Sequence, residues 1–425
     1  MQSSPYNSDD NTKQTCSVTV IGAGIIGVVT AITLLREGHS VTLIDKDKPG
    51  SGCSFGNAGL LARSSFVPLT SPTTLLQAPG WLLNPDGPLS VRWRYLIKII
   101  PWLYNYIKAG FSNELKQRGE AVYQLTGPSV VLFEQLAASV GCSDLLVKTD
   151  YLQVYRTRGK LLNAESDMNA RRDLGFNIST VDADKLREME PDLSTDFKWG
   201  HHILGHGYVK DPQALVLAIK QQFCREGGVY VEQAVTDIVQ NELSCEVVTA
   251  EQSISSDKLV VAAGAFSARL LAATNINIPL ETERGYHITC PQAKVNLNRP
   301  VMEGDNKFLA TPMQMGLRFA GTVELAGLDA PLNRRRIKSL QRGASKMLPG
   351  LDLEQSSEWL GFRPTLSDSL PVICTAPNNQ RIIYAFGHQH LGLTCAPMTA
   401  AVVADLVAER QPCIDISRFD VKRLI

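Results

Sequence analysis

The chain has 425 residues, enough for two or three domains with large buried cores. Its 44% apolar and 20% charged residues are those of an ordinary globular protein, which excludes disordered and fibrous classes. Lys+Arg and Asp+Glu both number 42, so no surplus positive charge awaits a phosphate backbone, and nucleic acid is not an expected partner.

In chain order, the first sixteen residues are polar, carry Asp9 and Asp10, and lack the basic start and apolar run of a signal peptide; they read as a loose tail. Residues 17–22 (SVTVIG) form a β-branched run ending in Gly, and residues 23–38 read as a buried helix stopped by Gly38. Ser40–Asp45 (SVTLID) is a second buried strand ending in a carboxylate. Strand, glycine turn, helix and strand open a parallel, doubly wound sheet. Residues 46–65 are dense in Gly, Ser and Asn and read as loop, and a helical, Pro-punctuated, aromatic stretch follows to about Gly141. Residues 151–155 read as a strand and 181–189 as a charged helix. Asp211-Pro212 then starts another helix, with Asp as N-cap. Short strands are expected at 229–231, 237–239, 245–250 and 258–262. Residues 283–290 and 317–325 alternate polar and apolar side chains, which predicts half-buried antiparallel strands; Leu317, Phe319, Gly321, Val323 and Leu325 share one face. A basic helix (Arg334–Met347), a strand at 382–386, a glycine turn at 387–394 and an apolar helix at 396–408 complete the chain.

Nine scattered cysteines without C-x-x-C spacing read as reduced thiols of a cytoplasmic protein. No apolar run reaches the roughly eighteen residues of a spanning helix. Residues 95–111 are apolar and aromatic with Lys98 and Lys108, which fits either peripheral contact with an inner-membrane surface or a capping helix broken at Pro101.

Gly22, Gly24 and Gly27, with Ile25 and Ile26 between them, make a G-x-G-x-x-G between a strand and a helix. The first glycine permits the tight turn, the second lets a pyrophosphate approach, and the third lets helix and sheet pack closely; the helix N-terminus favours the phosphate charge. Asp45 is placed to accept hydrogen bonds from a ribose, with Lys46 beside it, and its acidity disfavours NADP. The unit alone leaves FAD and NAD open.

The ordered segments GAGIIG, SGCSFGNAG, DPQALVLAI, VVAAGAFS, GFRPTLSDSLPVI and FGHQHLGLT resemble the D-amino-acid oxidase/glycine oxidase/sarcosine oxidase superfamily, over residues 17–410. SFGNAG and the aromatic stretch after it are most similar to bacterial D-amino-acid dehydrogenases, including those acting on hydroxy-D-proline. The resemblance implies an α/β fold with a Rossmann-type FAD-binding domain and a discontinuous antiparallel-sheet α+β substrate domain. After a flexible tail (1–15), segments 16–66, 210–275 and 360–415 would form the FAD-binding domain, and 67–209 with 276–359 the substrate domain. It also implies FAD contacts from Ser54, Asn57, Ala58, Gly59, the Val235 backbone, Ala263, Gly264 and the segment Gly387, His390, Leu391, Gly392, Leu393 and Thr394. Some relatives tether the flavin through a Cys in the segment matching GFRP. Phe362 and Arg363 stand there, so FAD is expected to be non-covalent.

By the same resemblance Arg363 would hold the substrate carboxylate, a role its planar fork suits at every working pH, although pairing with Asp368 is the structural alternative. Tyr286 and His388 are further candidates at the reacting centre, each against a structural reading. Arg318 reads as a solvated strand charge, as do Lys48, Arg63 and Arg334–Arg336. His201, His202 and His206 lack a nearby carboxylate or Cys set, so no metal is expected. The implied reaction is hydride transfer from Cα of a D-amino acid in its neutral-amine form to flavin N5, with a quinone or other carrier as electron acceptor. Rival readings are a sarcosine- or glycine-type amine oxidase on the same fold, and a non-catalytic NAD-binding module.

Overall fold

The computed structural model describes residues 15–67, 70, 72–241, 243–272 and 276–425. Residues 1–14 of the expected tail lie outside them. Two large sheets organise the rest. The first has six strands in the order Val372–Ala376, Asn379–Phe386, Lys258–Val261, Ser17–Ile21, Ser40–Asp45 and Val229–Glu232. All neighbours are parallel except the first pair. The strands are apolar on both faces because both are covered. Val18, Val20 and Leu43 pack with the helices Ile25–Arg36, Pro212–Arg225 and Gly392–Val407. Ile21, Ile44 and Val261 instead pack under a three-stranded sheet that carries Ile238 and Val247. The Asp211 carboxylate caps its helix as expected, accepting from the N–H groups of Gln213 and Ala214.

The second sheet has ten strands. Its main path runs Ser357–Thr365, Glu281–Cys290, Gly316–Leu325, Phe308–Met313, Val301–Glu303, Leu146–Tyr155, Trp199–Val209 and Leu60–Leu61. The helix Arg334–Met347 covers one face through Ile337, Leu340, Ala344 and Met347. The helices Leu115–Thr126 and Ser129–Val140 pack with the first core, and Ser357–Thr365 edges the second sheet, so these segments cross the boundaries drawn from sequence.

Several local expectations need correction. The presumed loop 46–65 holds a short helix, Cys53–Gly56, and the strand Leu60–Leu61. Of 181–189, only Ala183–Met189 is helical; Val181 and Asp182 end the strand Ile178–Asp182. Trp93–Gly110 is one helix that runs through Pro101. The strands Glu281–Cys290 and Gly316–Leu325 are antiparallel, but buried on both faces rather than half-buried. Nor do the five alternating residues share a face. Tyr286 pairs with Gly321 while Arg284 pairs with Glu324, a bulge of one residue at which Thr322 takes φ 60°. Leu317 and Phe319 therefore pack under Arg334–Met347, whereas Val323 and Leu325 pack with Ile99 and Trp102.

Candidate active site

A cavity of about 1410 Å³ lies between the two sheets, walled in part by Asp45, Gly24, Ala263, Gly387, Glu283 and Arg363. Pockets for drug-sized ligands hold roughly 300–1,000 Å³, so the space suits a dinucleotide with a small molecule beside it.

The glycine turn is built as its spacing implies. Gly22 takes φ 108°, where a side chain is strained, and donates to Ile44 O at 2.8 Å. A Cβ on Gly27 would overlap Gly22 O, while one on Gly24 would meet only Ser54 Oγ, at 3.3 Å. Ser54 Oγ accepts from Ile25 N at 2.8 Å and so satisfies one free donor of the helix N-terminus. Asp45 braces the same turn: its carboxylate accepts from Ala23 N at 2.6 Å and Asp47 N at 3.0 Å, and burial raises its pKa. Lys46 lies over the Phe266 ring, its ammonium 4.4 Å from the ring centre. Ile25, Ile26, Val235, Ala263 and Gly264 all line the cavity.

The segment Ser54, Asn57, Ala58 and Gly59 wraps the cavity wall and is tied from inside. Asn57 donates to Ser54 O and accepts from Gly59 N, both at 2.8 Å. Thr311 Oγ1 donates to Ala58 O at 2.8 Å. Arg318, read from sequence as solvated, is 1% exposed and is a central tie. Its Nη1 donates to Phe55 O (2.7 Å) and Asn57 O (3.0 Å), capping carbonyls at the end of the Cys53–Gly56 helix, and Nε donates to Thr289 Oγ1 at 3.1 Å. Burial lowers its pKa to about 10, so it stays cationic. Arg336 is also buried and donates to the carbonyls of Pro85 and Gly87, unlike the exposed charges expected of that triplet.

At the other part of the cavity, the strand Asn379–Phe386 turns at Gly387 (φ 85°) and Gln389 (φ 50°) into the helix Gly392–Val407. Leu391 is its N-cap, Gly392 and Leu393 line the cavity, and Thr394 Oγ1 accepts from Ala62 N at 3.1 Å. His388 also lines this space, but its Nε2 bonds Thr399 Oγ1 at 3.0 Å, and burial lowers its pKa to about 3. His390 is the histidine beside Arg363. Its side chain is open to the cavity, and desolvation by the surrounding wall, then the positive charge of Arg363, lower its pKa.

Arg363 lines the cavity and donates from Nη1 to Thr322 O at 3.0 Å. The structural alternative for it does not hold, because Asp368 pairs with Arg423 at 2.6 Å. The guanidinium lies across Gly285, where a Cβ would come within 2.5 Å of Arg363 Cζ. Tyr286 contributes to the cavity wall, but its hydroxyl donates to Glu324 at 2.5 Å and its ring packs under Arg334–Met347. Two residues on the other face of the same strand escaped sequence reasoning, and of these Glu283 lines the cavity. His287 bonds Gly56 O at 3.0 Å and stacks on Trp359, with a pKa lowered to about 3 by burial. Glu283, cross-strand partner of Arg363, is 5% exposed, and its carboxylate pKa is raised by burial against the opposing pull of Arg363. Their shared parity, four residues apart on one strand, was the available signal; which parity faces the cavity was not legible.

The histidine cluster is engaged otherwise than expected, since carboxylates arrive from distant segments. His201 bonds Glu165 at 3.0 Å, His202 bonds Asp150, and His206 bonds Ser64 at 2.9 Å. Among the described residues no group of three or more His, Cys, Asp or Glu could hold a metal.

Residues 17–406 match the family model described as FAD dependent oxidoreductase. The chain belongs to this family. It is 36% identical over 418 residues to a D-amino-acid oxidase of Bradyrhizobium diazoefficiens, covering 96% of this chain and 99% of that protein. It is 29% identical to D-amino acid dehydrogenase 2 of Ralstonia nicotianae, covering 96% and 100%. Glycine oxidase from Geobacillus kaustophilus shares the fold, with a TM-score of 0.75 at 22% identity over 97% of this chain and 99% of that one. L-proline dehydrogenase from P. horikoshii gives 0.73 at 18%, over 97% and 98%. The fold is thus that of a Rossmann-type FAD-binding unit joined to a second sheet, and the cofactor is FAD. The residues present fit that group. Gly24 leaves open a space that a Cβ would enter, two helix N-termini face the cavity, and the buried Gln389 Nε2 beside it has no hydrogen-bond partner among the described residues.

Proposed function

We propose that this enzyme is a D-amino-acid dehydrogenase that oxidises the Cα–N bond of its substrate. The observation that carries this reading is Arg363, a cavity-lining guanidinium with one donor spent on Thr322 O and no carboxylate paired to it among the described residues. A planar fork so placed suits a substrate carboxylate. Bound FAD supplies the two-electron redox chemistry. Arg363 fixes the carboxylate and hence the direction of Cα–H, while the apolar residues Trp102, Leu103 and Trp359 in the wall exclude water. D-Proline and its hydroxylated form are the proposed substrates, from the resemblance of SFGNAG and the stretch after it to hydroxy-D-proline dehydrogenases and from the aromatic residues in the wall. Non-covalent FAD is favoured by the cavity's thiol: burial raises the Cys53 pKa to about 11, so it is not a thiolate nucleophile. Turnover assays with D- and L-pairs of proline, alanine and 4-hydroxyproline, using a dye and then O₂, test the reading. Turnover of D-forms is expected, and activity on sarcosine or glycine alone would replace it by the amine-oxidase alternative.

We further propose a quinone-type acceptor reached from a membrane surface. No helix among the described residues is long and apolar enough to cross a membrane. On the helix Trp93–Gly110 and just past it, Trp93, Ile97, Ile100, Tyr104, Ile107 and Phe111 are all exposed, at spacings of a single helical stripe. Arg94, Lys98 and Lys108 accompany them and no acid does, which suits an anionic bilayer. Ile107 and Phe111 also line the cavity, so the stripe meets its mouth. Ile97→Glu is expected to abolish sedimentation with anionic phospholipid vesicles while leaving dye-coupled activity intact; equal sedimentation would refute the surface.

A further inference from the structure

The structure assigns to Glu283 a role resting on the amino-acid reading above: its carboxylate receives the substrate ammonium and takes one of its protons, while Arg363 holds the substrate carboxylate. Glu283 and Arg363 are directly opposed across the strands Glu281–Cys290 and Ser357–Thr365. Both line the cavity. The Arg363 guanidinium does not close on Glu283 but lies over Gly285 and donates to Thr322 O. No hydrogen bond or ion pair joins the Glu283 carboxylate to Arg363 or to any other described residue. A 95%-buried carboxylate with no partner is costly unless a ligand completes it. A cation and an anion held apart in one wall match a zwitterion, whose opposite charges sit on neighbouring atoms of one carbon.

The chemistry follows from the charge state of the amine. An ammonium nitrogen has no lone pair to support loss of hydride from Cα. When Glu283 is ionised, one ammonium N–H bond breaks and a carboxyl O–H bond forms, leaving a neutral amine with its lone pair. Bound FAD would supply the oxidant for the two electrons of the Cα–H bond, and the lone pair that Glu283 has freed on nitrogen would form the C=N bond. Burial holds the Glu283 pKa above its usual range, with Arg363 pulling the other way. Such a carboxylate is a better proton acceptor than an exposed one. The groups facing it are Arg363 from the neighbouring strand and Tyr106 from the helix Trp93–Gly110, whose phenol burial and Glu283 keep protonated. Behind Arg363 stand His390 and Cys53, both neutral. From the strand Gly316–Leu325, Glu324 faces the other way, to Tyr286 and Arg284.

Two unreactive probes test this on the FAD-loaded enzyme: 2-aminoisobutyrate, a zwitterion without Cα–H, and pivalate, its counterpart without the amine. Binding is read from the flavin spectrum. Glu283→Gln is expected to weaken 2-aminoisobutyrate by roughly tenfold or more and pivalate by less than about threefold. In wild type kcat/KM should rise with pH as Glu283 ionises; in Glu283→Gln that limb should move to the alkaline range of the free amine, and Glu283→Asp should restore it. Wild type that binds both probes, with Glu283→Gln binding 2-aminoisobutyrate equally well or keeping the acid limb, would overturn the assignment alone. Wild type that binds neither probe and is reduced by no amino acid would overturn the amino-acid reading and this role together.

Discussion

Arg363→Ala should lower kcat/KM for the amino-acid substrate by about three orders of magnitude without loss of FAD. Truncating one member of a hydrogen-bonded buried charge pair costs about 2–5 kcal/mol. At about 1.4 kcal/mol per factor of ten, that is roughly 30- to 5000-fold. The upper part of the range is expected because the guanidinium sets the position of Cα as well as binding the carboxylate. Arg363→Lys keeps the charge but loses the fork, and should fall between wild type and Ala. The comparison needs kcat and KM separately. A change confined to KM would make Arg363 a uniform binding residue, not one that aligns the reacting carbon. Since Gly285 leaves the space that the guanidinium crosses, Gly285→Ala should mimic Arg363→Ala in direction.

Gly27→Ala and Gly24→Ala should separate folding from cofactor binding. At Gly27 an added Cβ overlaps the Gly22 carbonyl, which is backbone and cannot rotate away. The helix Ile25–Arg36 would have to lift from the sheet, costing at or above the ~3 kcal/mol top of the usual overpacking range. The expected result is a lower melting temperature of the apo-protein and no retained FAD. At Gly24 the added methyl meets only Ser54 Oγ at 3.3 Å. That variant should fold, with apo stability near wild type. Its methyl enters the expected path of the pyrophosphate, and a steric cost of about 1–3 kcal/mol is roughly a 5- to 150-fold loss of FAD affinity. Apo-protein melting curves and FAD titration check both; equal retention of FAD by Gly24→Ala would remove the glycine turn from the cofactor path.

What could be read before the structure follows from how local the determinants are. Gly22, Gly24 and Gly27 lie within six residues, and the strand, turn and helix around them are set by neighbours in sequence. Asp211-Pro212 is legible for the same reason: cap and first turn are contiguous. Arg363 was legible only through resemblance to relatives. Glu283 and Arg318 were not, because their roles depend on cross-strand register. The bulge at Thr322 reverses which alternate side chains face the cavity beyond it, and no period-2 pattern survives such an insertion. Burial of Arg318 arises because the Cys53–Gly56 helix, some 260 positions earlier, supplies carbonyls that need a donor. Likewise the positive φ values of Gly387 and Gln389 decide that His390 faces Arg363 while His388 turns to Thr399. From sequence His388 was expected at the reacting centre and His390 against the FAD.

FAD and the Arg363 fork together are expected to oxidise a D-amino acid. Anaerobic addition of D-proline, cis-4-hydroxy-D-proline or D-alanine, each beside its L-form, to the purified holoenzyme tests it most directly. Bleaching of the flavin band near roughly 450 nm by at least one D-form, with the matching L-form inert, is the predicted result. A flavin that stays oxidised with every D-form, or that only glycine, sarcosine or an L-form reduces, would contradict it.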